Sequence, residues 1–187
     1  MKFFVRFWIS LFFSFFAIHF SVSANSSIPY QIPNTQIHVL TSKTSSRPYQ
    51  IWVDLPDSYT KNDKKLPVVF VTDPQYAFTL VHGVRHLVGR RGQNIEDFIL
   101  VGLSMPAGVD IASARSRDYT PSNPLPKDKR NRDPNNYSAD VYGEAEEYRN
   151  YIENQVFPFL AKNFRADMER KVLIGHSYGS LFGAYTL

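Results

Sequence analysis

Cysteine is absent from the 187 residues, which excludes a disulfide framework, a thiolate metal site and a lipid anchor built on an N-terminal cysteine. Glycine is scarce, at 9 residues against 12 prolines, and no collagen-like or low-complexity bias appears. An excess of one charge is also lacking. The formal +4 shrinks once Lys2 and Arg6 of the acid-free first 24 residues are set aside, leaving 19 of the 21 bases against 17 acids. A chain so close to neutrality carries no electrostatic footprint for nucleic acid. What remains, 43% hydrophobic and 20% charged, is the balance of a globular domain.

A long membrane-spanning run is missing too. Phe7 to Phe20 is apolar apart from small or weakly polar groups, shorter than the roughly 20 residues a span requires. It follows the basic Lys2 and Arg6 and leads to Val22-Ser23-Ala24, small residues of the kind a signal peptidase reads. Residues 1–24 are therefore expected to be a signal peptide cleaved after Ala24. Residues 25–187 form the mature domain, periplasmic or secreted, with no stable membrane insertion.

Strands come first in the mature chain. Gln36 to Thr41 and Tyr49 to Leu55 alternate, are rich in β-branched and aromatic residues, and flank the turn Ser45-Ser46-Arg47-Pro48; they predict an antiparallel hairpin. Leu66 to Thr72 and Phe98 to Met105 are continuously apolar, as strands covered on both faces are. Between them Tyr76 to Val88 has helical spacing at Phe78, Val81, Val84 or Arg85, and Val88. From Ala107 to about Tyr142 the chain is polar and shows no period, which in a compact domain marks a functional or mobile stretch.

A strong helix is expected next. Glu144, Glu146 and Glu147 sit in its first turn, where the dipole favours acids. Tyr148, Ile152, Val156, Phe159 or Leu160, and Phe164 form its stripe, and Pro158 predicts a kink. Lys171 to Ile174 reads as a third buried strand, with a helix after Ser177. Alternating apolar strands and helices predict an α/β domain, a mostly parallel sheet with helices on both faces.

Gly175-His176-Ser177-Tyr178-Gly179 has the form G-x-S-x-G, between a strand and a helix. The reversal is so sharp that the serine takes a strained backbone conformation above the sheet. A side chain at Gly175 or Gly179 would collide with a neighbouring strand or helix. Ser177 is the candidate nucleophile, at a helix N-terminus whose N–H groups favour negative charge. The N–H of Tyr178 is the first candidate oxyanion donor. A second comes from Pro74-Gln75-Tyr76, and since proline has no N–H it falls to Gln75 or Tyr76. The bland alternative is a glycine-flanked serine in an ordinary turn.

Other motifs carry less. His176 adjoins Ser177 but points elsewhere, so it is not its base. His82 and His86 have a metal-ligand spacing with no HExxH pattern or carboxylate pair beside them, and they read as helix-surface histidines; no metal site is assigned. Lys61 to Lys65 and Lys127 to Arg130 read as solvated loop charge.

Taken together, several segments make the chain resemble the esterase branch of the α/β-hydrolases, which includes siderophore esterases, feruloyl esterases and S-formylglutathione hydrolases. They are Val71 to Phe78, Phe98 to Leu103, Arg117-Asp118-Tyr119-Thr120-Pro121, Ile152 to Phe159 and Ile174 to Gly179. The resemblance implies Ser177 as nucleophile, a shared oxyanion hole, small-molecule ester substrates and no cofactor. It also places Arg117 and Tyr119 in a loop over the strand ends. There Arg117, with Tyr119 beside it as a second candidate substrate contact, meets an acidic or catecholic substrate or, alternatively, pairs with Asp118 to pin the loop. One departure is that the family often has Asp-Gly where this chain has Asp73-Pro74.

In this fold a catalytic acid and then a histidine follow the serine. Tyr178 to Leu187 contains neither. The expectation is the N-terminal part of a longer serine esterase, inactive as 187 residues. The competing expectation is a non-catalytic relic or binding module of the same fold.

Overall fold

The computed structural model describes residues 27–89, 93–105, 108–123 and 141–187. Met1–Tyr30 and Gln31–Leu187 are separate compact units. The signal peptide expected over residues 1–24 falls outside the described residues, and all the elements below belong to the second unit. Strands β1 (Thr35–Thr41) and β2 (Pro48–Asp54) form the expected antiparallel hairpin. β3 (Leu66–Thr72), α1 (Pro74–Leu87) and β4 (Ile99–Ser104) follow. Next come α2 (Ile111–Tyr119), α3 (Ala145–Tyr151), a π-helical turn (Ile152–Val156) and α4 (Phe157–Asn163). β5 (Ala166–Ile174) and α5 (Tyr178–Tyr185) complete the described elements.

The five strands form one sheet in the order β1-β2-β4-β3-β5. β2 meets β4 antiparallel, whereas β3 is flanked by β4 and β5 running parallel to it. The chain thus leaves β3 to one side and returns to its other side. Such a reversal opens a crevice at the carboxyl ends of the neighbouring strands. Here those ends are Thr72 on β3 and Ile174 on β5.

Helices cover both faces. On one, Phe78 of α1 packs with Val71, Phe98 and Leu100. On the other, Tyr148, Ile152, Val156 and Leu160 join Phe182 of α5 over Ile51, Val68, Phe70 and Val101. Gly102 of β4 makes room for α1: a Cβ there would lie 2.7 Å from Pro74 Cβ and 3.0 Å from Phe78 Cδ2.

Four sequence expectations are corrected. The aperiodic stretch after Ala107 contains α2. Asp110 caps it by accepting from the Ser113 N–H at 2.8 Å, and its buried residues are Ser113, Ala114, Ser116, Arg117, Asp118 and Tyr119. A mostly polar buried side leaves no apolar period to read. Second, α1 turns Arg85 inward and Val84 and Val88 outward, because Arg85 reaches the carboxylate of Asp54 at 2.8 Å and the carbonyl of Phe98 at 3.0 Å.

Third, the break before Pro158 is a π turn rather than a simple kink. The Phe157 N–H donates to the Ile152 carbonyl five residues back. Tyr148, Ile152, Val156 and Leu160 recur every fourth residue, a spacing that drifts by about 40° per step around an α-helix. The wide turn keeps all four buried. Finally, β5 is not buried: Val172 is 55% and Ile174 40% exposed, since among the described residues no strand pairs with its far edge.

Candidate active site

Ser177 joins β5 to α5 with φ 55° and ψ −121°, a region that costs a residue with a side chain of order 1–3 kcal/mol. The turn is tied by the Gly179 N–H to the His176 carbonyl at 2.9 Å and by the Ser180 hydroxyl to the Gly175 carbonyl at 2.8 Å. Both flanking glycines are required by contact. A Cβ on Gly175 would overlap the Gly179 carbonyl oxygen and lie 2.8 Å from the Ser180 nitrogen. A Cβ on Gly179 would overlap Thr72 Oγ1 and lie 3.0 Å from Thr72 Cβ. The serine itself is exposed. The N–H of Tyr178, the first residue of α5, has no partner within its own helix.

Across the crevice, Asp73 separates β3 from α1. Its backbone is left-handed, φ 51° and ψ 54°, and it precedes a proline, which further disfavours helical-type backbone at that position. Three side chains hold it. Its N–H donates to the Tyr119 hydroxyl at 3.4 Å. The Arg115 Nε–H donates to Oδ1 at 2.7 Å, and the Tyr76 hydroxyl donates to Oδ2 at 3.0 Å. Burial and this hydrogen bond to a carboxylate raise the pKa of the Tyr76 phenol. The carboxylate also lies at the elbow, its Oδ2 3.4 Å from the position a Gly179 Cβ would occupy.

Of the two candidate donors in this loop, Tyr76 spends its N–H on the Asp73 carbonyl at 3.3 Å. Gln75 is exposed at the second position of α1 and is anchored through its side chain, whose Nε2–H donates to Ser104 Oγ at 3.0 Å.

Arg117 and Tyr119 are not at the surface. Arg117 is 4% exposed and grips Asp118 with two bonds, Nε to Oδ1 at 2.6 Å and Nη2 to Oδ2 at 2.8 Å. Tyr49 donates a third bond to that carboxylate at 3.0 Å. Tyr119 is fully buried and stacks on Phe182 of α5, ring centroids 5.6 Å apart. Arg115, which the sequence reading passed over, reaches the crevice instead. It is half-buried, and its guanidinium carbon lies 5.7 Å from the Tyr178 ring centroid. Its position one helical turn before Tyr119 is a signal visible only once α2 is recognised as a helix.

The histidines lie apart from this arrangement. His82 Nδ1 pairs with Asp54 Oδ2 at 2.7 Å and its ring packs against His86 at 4.4 Å. His38 packs against Phe159 at 5.0 Å. His176 is exposed. Among the described residues no group of three or more His, Asp or Glu side chains is placed to hold a metal ion.

Comparison with known proteins agrees with this geometry. The profile of the family described as "Putative esterase" matches residues 42–186. The ferri-bacillibactin esterase BesA of Bacillus subtilis is 28% identical over 163 residues, which are 86% of this chain and 55% of that protein. The siderophore triacetylfusarinine C esterase of Aspergillus fumigatus is 26% identical, with 85% and 52% covered. The crystal structure of the BES protein from Bacillus cereus superposes with a TM-score of 0.67 at 26% identity, over 84% of this chain and 58% of that one. The chain thus spans little more than half the length of these relatives. The sheet and its helices are of the α/β-hydrolase type, and with its motif, its strained serine and its profile in agreement, the chain belongs to this esterase family.

Proposed function

We propose that the protein is an exported serine esterase whose nucleophile is Ser177. The observation that carries this reading is the backbone of Ser177, a non-glycine residue at positive φ wedged between two glycines that admit no side chain. Strain of this kind persists where the surroundings over-determine it, and it concentrates at functional sites. Ser177 Oγ attacks the ester carbonyl carbon, the bond to the alcohol oxygen breaks, and the departing alcohol takes up a proton. Water then cleaves the acyl-enzyme. The developing oxyanion is received by the N–H groups of Tyr178 and, across the crevice, Gln75, the Tyr76 N–H being engaged in its own turn.

The substrate class is a small-molecule carboxylic ester, and siderophore esters are the first candidates because the curated relatives carry those names. In this reading Arg117 and Tyr119 hold the loop rather than touch substrate, which their burial supports. Among the described residues no helix is long and apolar enough to cross a membrane. Export rests on the order of residues 1–24, and a mature N-terminus at Asn25 in the exported protein tests it; a membrane-bound chain starting at Met1 contradicts it.

Hydrolysis of p-nitrophenyl acetate by the protein as its gene encodes it tests the chemistry. Ser177→Ala should lower turnover by on the order of 10⁴. Undiminished turnover would assign the nucleophile elsewhere.

A further inference from the structure

We infer that Arg115 is a positioning residue, which braces the strained Asp73–Pro74 turn against Tyr178 and so fixes the separation of the two oxyanion donors. The inference rests on the serine-esterase reading for its consequence in catalysis, though not for the brace itself. The two donor segments belong to different loops. One follows β3 and the other follows β5, and each is strained at a non-glycine residue of positive φ, Asp73 and Ser177. Pairing of β3 with β5 and the contact of Gly179 with Thr72 bring the two loops together, but neither holds the Asp73–Pro74 turn in its strained conformation.

Asp73 is strained in its own right: aspartate tolerates the left-handed region, but the proline that follows disfavours it there. Releasing its side chain would let the turn relax, and Gln75, two residues on, would swing with it. Three bonds oppose this, from Tyr119, Tyr76 and Arg115. They differ in reach. Tyr76 lies on the same loop and Tyr119 is fully buried below it. Tyr119 also meets α5, but at Phe182; Arg115 is the one of the three that lies by Tyr178 itself, with Nε 2.7 Å from Asp73 Oδ1 and its guanidinium carbon 5.7 Å from the ring centroid of Tyr178. Tyr178 bears the other donor. A guanidinium suits this task, since its planar group can bond a carboxylate while presenting its face or edge to a ring. Arg115 comes from α2, whose neighbour Arg117 is locked on Asp118, so the brace is mounted on a rigid element.

The test compares Arg115→Ala, Arg115→Lys and Asp73→Asn in the protein as its gene encodes it, with Ser177→Ala beside them. A displacement of about 1 Å in a catalytic group costs on the order of 10²-fold. Arg115→Ala should therefore lower kcat for p-nitrophenyl acetate by about 10- to 100-fold and leave KM within about threefold. Arg115→Lys should recover part of the loss, and Asp73→Asn with Arg115→Ala should cost little more than Arg115→Ala alone. In the same variant, amide hydrogen exchange should quicken at Gln75 to Ala77 and Tyr178 to Ser180 while the amides of β3 and β4 keep their protection.

A change in KM alone would overturn the inference and make Arg115 a substrate contact. So would unchanged local exchange, or faster exchange throughout the sheet, which would mark a general structural role. If Ser177→Ala retains turnover, the esterase reading fails while the exchange measurement still judges the brace.

Discussion

Gly179 packs directly against Thr72: a Cβ on Gly179 would overlap Thr72 Oγ1 and stand 3.0 Å from Thr72 Cβ. The contact joins the first turn of α5 to the last residue of β3, so it fixes how deeply Ser177 sits over the sheet. Gly179→Ala should destabilise the domain by about 1–3 kcal/mol, the usual cost of overpacking. Thr72→Ala in the same chain should restore part of the loss, because it removes the overlapping atom. Thr72→Ala should not rescue Gly175→Ala, whose clash is with the backbone of α5. Thermal melting of the four variants checks this, and equal rescue of both glycine variants would contradict it.

At the opposite end of the parallel strands, Arg85 and Asp54 form an ion pair, Nη2 to Oδ2 at 2.8 Å, with side chains only 3% and 0% exposed. A buried charge left without its partner is costly. Asp54 Oδ2 keeps His82 Nδ1 at 2.7 Å, so Arg85→Met removes one of its two partners and should lower stability by about 1–3 kcal/mol, and adding Asp54→Asn should recover part of it. Denaturant unfolding reads both. A double variant as unstable as the sum of the singles would show that the charge of Asp54 is not what Arg85 neutralises.

Glu146 offers a pH readout. Its carboxylate accepts from Arg149 at 2.8 Å and from the Tyr185 hydroxyl at 2.6 Å, a bond that ties α5 to α3. These bonds, Arg149 foremost, pull its pKa down from 4.5 to about 2. A depressed carboxylate contributes its stabilisation above the unfolded value, and loses it as pH falls from about 4.5 toward 2. A carboxyl-carbon titration should place the Glu146 midpoint near 2, and Arg149→Ala should move it up. A midpoint in the ordinary glutamate range in the unaltered chain would contradict the contact.

The sequence was legible where one physical signal dominates. The hairpin, β3 and β4 follow from alternation and from apolar runs, and the elbow from two glycines that contact makes unavoidable. α2 could not be read, because four of its six buried residues, Ser113, Ser116, Arg117 and Asp118, are polar or charged, and only Ala114 and Tyr119 join the apolar core. Arg85 was ambiguous with Val84 for the same reason, since only the fold brings Asp54 to it. The exposure of β5 is equally tertiary: Val172 and Ile174 read as buried, and they are exposed because nothing among the described residues pairs beyond them. Arg115 became visible only when α2 placed it over Asp73.

The central claim is that Ser177 is the nucleophile, and the most direct measurement is the site of covalent labelling. The protein as its gene encodes it would be treated with a fluorophosphonate, digested and read by peptide mass spectrometry. The account predicts one phosphonylated serine, in the peptide containing Gly175-His176-Ser177-Tyr178-Gly179, and no label in Ser177→Ala. A label on another residue, or undiminished labelling of the alanine variant, would contradict it.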